Sequence, residues 1–161
     1  MEILNEPNKT LEMTVLMTPD LVNFSGKVHG GAILKLLDEV AYACASRYSG
    51  HYVVTLSVDQ VFFRHPVHVQ ELVTFLANIN FTGKSSMEIG IKVVSENIKT
   101  KKKTHVLSSF FTMIALDEQS RPIPVIPLKL ENEKDVSRNA AALQRKKSRE
   151  QMWSKEDKNL G

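Results

Sequence analysis

Val28-His29-Gly30-Gly31-Ala32-Ile33-Leu34-Lys35-Leu36-Leu37-Asp38-Glu39-Val40-Ala41-Tyr42-Ala43-Cys44-Ala45 is the stretch on which the fold turns. No proline occurs from His29 to Tyr48, and Ile33, Leu34, Leu36, Leu37, Val40, Ala41, Ala43, Cys44 and Ala45 cover most of a helix circumference. A helix apolar nearly all round is one buried in the middle of a fold. A long central helix is therefore predicted here, closed by Tyr48-Ser49-Gly50.

Before the helix, Thr10 to Met17 alternates, with Leu11, Met13, Val15 and Met17 on one face, which is a strand pattern. Thr18-Pro19-Asp20 ends it, and a polar loop with Asn23, Ser25 and Gly26 follows. After Gly50 the β-branched and aromatic density rises. Strands are predicted over Tyr52–Phe63, Glu71–Phe81, Ser86–Glu96 and Thr104–Leu116, with a turn at Arg64-His65-Pro66, a tight turn at Thr82-Gly83-Lys84 and a basic loop from Lys99 to Lys103. Short connections between successive strands require antiparallel hairpins. The expected class is α+β, one long helix against a five-stranded antiparallel sheet. One helix cannot cover both faces of such a sheet, and an open edge is a liability. Two protomers pairing edge to edge solve both problems, so a homodimer is expected.

The chain has 161 residues, 42 % hydrophobic and 24 % charged, which suits one globular domain. No apolar run reaches the roughly 20 residues of a membrane span. Met1 to Glu6 lacks a basic and an apolar leader region, and Cys44 is the single cysteine, which together fit a reducing, cytoplasmic setting. Residues 1–128 carry 12 Lys+Arg against 12 Asp+Glu; residues 129–161 carry 9 against 6, which is the whole net charge of +3. A nucleic-acid partner thus lacks electrostatic support in the globular part. The chain divides into a domain over 1–128 and a charged helical tail over 129–161. The tail helix is predicted from about Asn132, with a thin apolar stripe of Val136, Ala140 and Leu143. It reads as a solvated or subunit-bracing helix; Arg145, Lys146, Lys147 and Arg149 gripping phosphates is the alternative.

Several motifs fail. Gly83-Lys84-Ser85 lacks the upstream glycine of a phosphate loop and precedes a strand. His65 and His68 have no third metal ligand nearby. Cys44 sits in the apolar helix as a small core residue. What remains is the loop and the helix start. Asp38 lies amid apolar residues, and an ionised carboxylate buried there without partners costs several kcal/mol. It therefore faces a polar pocket or is structurally paired. Glu39 projects about 100° away, so at most one of the two is expected at a site; the other reaches a rim or Lys35. Gly30-Gly31 costs up to about 1 kcal/mol per glycine against alanine. The pair either opens the free N–H groups of the first turn to an oxygen gaining negative charge or serves a tight turn. Asn23, in the preceding loop, could orient water or a carbonyl, or be a turn residue.

These residues together resemble the acyl-CoA hydrolase family of hotdog-fold thioesterases. The resemblance rests on Met17-Thr18-Pro19-Asp20, Asn23, Gly26, Val28-His29-Gly30-Gly31 and Leu34 through Ala41. It continues through Val54-Thr55-Leu56-Ser57-Val58-Asp59, Phe81-Thr82, Lys84 through Glu88, Ser95-Glu96-Asn97 and Phe110-Phe111-Thr112. It covers roughly 10–128 and implies a hotdog fold that hydrolyses acyl-CoA thioesters. The family's catalytic pair falls on Asn23 and Asp38, taken from two protomers of a homodimer. Gly30 and Gly31 would bind the carbonyl. Arg64, Lys84, Ser85 and Ser86 would receive the anionic end of coenzyme A. The family also implies dimers assembled into a hexamer, as a trimer of dimers, and no metal or resident cofactor: coenzyme A is part of the substrate and product. A non-catalytic acyl-CoA sensor of the same fold is the alternative.

Overall fold

The computed structural model describes residues 6–159; Met1 to Asn5, on which most of the reading of the N-terminus rests, and Leu160 and Gly161 lie outside the described residues. Strand β1 (Thr10–Leu16) leads through a 3-10 turn (Pro19–Leu21) to the central helix α1 (Gly30–Ser49). Strands β2 (Tyr52–Val58), β3 (Glu71–Thr82), β4 (Ser86–Asn97) and β5 (Lys103–Leu116) follow, and α2 (Glu133–Asn159) ends the chain. The strands form one antiparallel sheet in the order β1-β3-β4-β5-β2. Among the described residues no helix is long and apolar enough to cross a membrane.

Two strand expectations need correction. The first concerns β2 and β3, which are not a hairpin. β3 has β1 on one side and β4 on the other, so β2 must pair with β5 at the far edge. Residues 59–70 carry the chain between them. The second concerns the length of β2, whose ladder stops at Val58 rather than Phe63. A bulge between Thr55 and Ser57 starts the departure. Beyond it Asp59 N–H still donates to Phe110 O and Arg64 N–H to Val106 O, each at 3.0 Å. Between those bonds the chain spends one residue more than β5, and such an excess turns side chains off the pleat.

α1 lies across the inner face of the sheet. Ile33, Leu37, Val40, Ala41 and Cys44 are buried against Phe75, Ile79, Met87, Ile89, Ile91, Leu107, Phe111 and Met113. Its C-terminus is closed by Gly50 in the left-handed region, φ 71°, with Gly50 N–H on Ser46 O, the geometry glycine adopts at least cost. The helix is not buried all round, however. Leu34, Lys35, Asp38, Glu39, Tyr42 and Ala43 form an exposed stripe. Beside it runs the unpaired edge of β2, with Tyr52, Leu56 and Val58 exposed. Tyr42 and Tyr52 meet edge to face, their centroids 6.2 Å apart. The apolar circumference thus combines two surfaces, one facing the sheet and one left open within the chain.

α2 lies on the opposite face of the sheet, and it does so through polar groups. The outer face carries Asn78, Asn80 and Glu88, all buried. Asn78 donates to Asn80, Asn80 donates to Glu88, and Asn139 of α2 donates to Asn80 O. Gly90 makes room, since a Cβ there would stand 2.5 Å from Asn80 Nδ2. Arg145 forks onto Glu88 at 2.6 and 3.0 Å, with its guanidinium 3.6 Å above the Phe110 ring. Arg149 donates to both Asp59 oxygens at 3.0 Å. At the other end Lys9 binds Asp135 at 2.5 Å and Glu131 at 2.6 Å; Lys9 holds the Asp135 carboxyl below its usual range. The stripe of Val136, Ala140 and Leu143 faces away from the sheet, the reverse of what an apolar stripe suggests. Arg145 and Arg149 are occupied by carboxylates, so the phosphate-gripping alternative loses both.

Removing Arg145 leaves the buried Glu88 carboxylate only its longer ion pair with Arg149, at 3.8 Å. Arg145→Met is expected to destabilise the fold by roughly 3–5 kcal/mol, read as a lower urea midpoint at constant m-value. Adding Glu88→Leu to that variant should recover most of the loss.

Candidate active site

The helix start is built by its loop. Gly26 has φ 78°, where glycine costs nothing and a side chain strains the backbone. The turn it makes is tied by Asn23 N–H to Lys27 O at 2.6 Å and by Gly26 N–H to Asn23 O at 3.1 Å. Asn23 Oδ1 accepts from Ser25 N–H, Ser25 Oγ–H and Lys27 N–H. Its acceptor is therefore used locally, and the half-buried carboxamide presents only its NH2 group outward. His29 caps α1 without a side-chain bond, and its carbonyl takes Ala32 N–H and Ile33 N–H. Gly30 and Gly31 N–H have no hydrogen-bond partner among the described residues. A Cβ on Gly31 would meet nothing within 4 Å, whereas one on Gly30 would touch the Phe63 ring at 3.5 Å. The Gly30 contact is of ordinary van der Waals length, so no steric demand of the chain accounts for either glycine.

Asn23, Gly30, Ile33, Phe63, Arg64 and Val67 line one cavity of about 350 Å³. A second, of about 330 Å³, is lined by Asp38, Glu39, Tyr42, Tyr52, Thr55 and Met113. They share no residue. Gly31 and Asp38 are seven residues apart on α1, about 10 Å along its axis. Both carboxylates, Asp38 and Glu39, are exposed and line the second cavity, which corrects the expectation that only one would. Asp38 is not sunk in the core. Its partner is Thr55 of β2, whose hydroxyl donates to Oδ1 at 2.6 Å. Thr55 was not singled out in the sequence; the available signal was a hydroxyl in the β-branched run that follows the helix.

The other four residues split between the two ends of β5. Arg64 is exposed and bonded through its backbone to Val106, on the Asn23 side. Ser85 O accepts from Ala115 N–H, and Gly83 N–H closes the hairpin on Ser86 O. Nine residues of strand, about 30 Å, separate Val106 from Ala115. Lys84, Ser85 and Ser86 therefore belong to the Asp38 end, and one chain does not bring them to Arg64. Cys44 is fully buried, and burial pushes its thiol up to about 12, so it packs rather than reacts.

A family profile described as the thioesterase superfamily matches residues 25–102. Protein VdlD of Helicobacter pylori is 45 % identical over 151 residues, 94 % of this chain and 86 % of that protein. A Bacillus subtilis protein named as an uncharacterised acyl-CoA thioester hydrolase is 31 % identical over 127 residues, 79 % of this chain and 74 % of its own length. The chain belongs to the thioesterase superfamily. Its fold is the hotdog fold: the crystal structure of an apo-hexameric acyl-CoA thioesterase, 31 % identical, superimposes with a TM-score of 0.85 over 89 % of this chain and 92 % of that one.

In this thioesterase the open helix start can be tested by one substitution. Gly31→Ala is sterically free and should raise stability by up to about 1 kcal/mol. Hydrolysis of acyl-CoA should fall, because the new methyl stands beside the open N–H groups. Urea unfolding and a thioester assay on the same sample read the two effects.

Proposed function

We propose that the protein hydrolyses acyl-CoA thioesters to a free acid and coenzyme A, in two equivalent sites of a homodimer. Each site takes Asn23, Gly30 and Gly31 from one protomer and Asp38 with Thr55 from the other. The observation that carries this reading is the division of the chemistry between two cavities of one chain. One has the unpaired N–H donors of the helix start and no carboxylate; the other has a positioned carboxylate away from those donors. The second borders the open stripe of α1 and the free edge of β2, the surface a second copy would cover.

The chemistry follows from the groups. Thr55 holds one oxygen of Asp38 and leaves the other for water. Asp38 takes a proton from that water as its oxygen attacks the thioester carbon. The carbonyl electrons move to oxygen, where Gly31 N–H and the Asn23 amide donate to the developing charge at the positive end of α1. Collapse expels the thiolate, which takes the proton back from Asp38 and leaves as coenzyme A. Arg64, and Lys84 with Ser85 and Ser86, are proposed to hold the anionic end of coenzyme A. Because they lie at opposite ends of the sheet, the two groups would serve it from different protomers. The reaction needs no metal or resident cofactor, and dialysis against EDTA is expected to leave kcat unchanged. We further propose assembly of dimers into a hexamer, supported by the hexameric relative, and a cytoplasmic setting.

The test mixes two inactive proteins. Asn23→Ala and Asp38→Ala should each lose at least about 100-fold in kcat. After reversible dissociation and random exchange, half of the dimers are heterodimers with one intact site of two. About a quarter of wild-type activity should return if separated sites act independently. Exchange verified by mass spectrometry without recovery would place both residues in one chain's site. Binding of acyl-CoA without turnover by the wild type would favour a sensor instead.

A further inference from the structure

The cavity beside Asn23 has a wall that the hydrolytic chemistry does not use. Val28, Ile33 and Val67, at 7 %, 1 % and 4 % exposure, form its floor. Phe63 stands over that floor, half-exposed, with its ring edge 3.5 Å from where a Cβ on Gly30 would lie. The ring is held in place. Arg64, the next residue, is tied by its N–H to β5, and Asp59 is tied to β5 at the start of the same segment. The extra residue between these two bonds leaves Phe62 and Phe63 both off the pleat. Phe62 is exposed and does not line the cavity, whereas Phe63 does. The exposed Lys27, Arg64 and His65 line the same cavity; its apolar floor and aromatic wall suit a hydrocarbon, and its polar rim suits the carbonyl and the group beyond it.

We propose that this cavity receives the acyl chain and that Phe63 is the specificity-determining residue that sets how long or branched the chain can be. The inference rests on the hydrolase reading above. With the carbonyl oxygen at Gly31 N–H, the first carbons of the acyl group run along the ring, one residue from the donor. A smaller side chain at 63 opens the cavity toward the loop 59–63; a larger one closes it onto Val28.

The experiment measures kcat and KM for straight-chain acyl-CoAs from acetyl to palmitoyl and for a branched one. It compares the wild type with Phe63→Ala, Phe63→Trp and, as a neighbouring control, Phe62→Ala. Affinities for non-hydrolysable thioether analogues of the same chains are measured by calorimetry. Phe63→Ala should shift the preference between long and short chains by at least about tenfold, mainly through KM, and Phe63→Trp should shift it the other way. Phe62→Ala should keep the wild-type profile. Two results would overturn the assignment: an equal loss for every chain length, or disassembly of the Phe63→Ala oligomer on gel filtration. The analogue affinities report the same profile without turnover. A wild type that binds them by chain length but hydrolyses no acyl-CoA would sink the hydrolase reading and leave the wall standing.

Discussion

A helix laid across a single sheet can bury only the side that touches the sheet. Here the chain places most of its apolar helix residues on α1 and surrounds it with one layer of strands. The inner side of α1 meets Phe75, Ile89, Phe111 and Met113 and is fully satisfied. The other side keeps Leu34 and Tyr42 in the open, next to a strand whose backbone groups are unpaired on one edge. Every later feature depends on that imbalance. It puts Asp38 on an exposed stripe yet within reach of β2, and it leaves the donors at the helix start facing a different cavity.

The fold was largely legible because local patterns carry it. Two-residue alternation marked β1, the density of β-branched and aromatic residues marked β3, β4 and β5, each to within a residue or two, and the proline-free apolar run marked α1. What was not legible were the choices between surfaces. Counting apolar residues around α1 could not distinguish a side facing the sheet from a side facing outward, so Asp38 looked buried when it is not. The stripe of Val136, Ala140 and Leu143 was real, but periodicity says nothing about which side meets the sheet. That depended on Asn78, Asn80 and Glu88, polar residues on the outer face of β3 and β4 that select a polar helix face. The end of β2 was hidden because Val61, Phe62 and Phe63 continue a strand-like composition after the ladder has stopped.

The candidate site was legible in part. Asn23, the glycine pair and Asp38 stood out as residues whose local cost needed an explanation. The structure adds distinctions among them. The acceptor of Asn23 is consumed by its own loop, leaving a donor, and neither glycine answers to a steric demand of the chain. Thr55 escaped notice because a threonine in a strand has no local cost; its role exists only in contact with Asp38. Arg64 and Lys84 looked equivalent as exposed cations near turns. The sheet order sets them at opposite ends, a fact that pairing rather than composition decides.

Cys44 has a practical consequence. It is the chain's single thiol, held at the centre of the α1–sheet contact with no exposed area. Its reactivity is suppressed by the same burial that makes the core. A thiol reagent can label it only when α1 lifts from the sheet, so the labelling rate counts those excursions directly. The molecule thus carries its own reporter of core opening, with no probe to introduce and no second cysteine to confuse the signal.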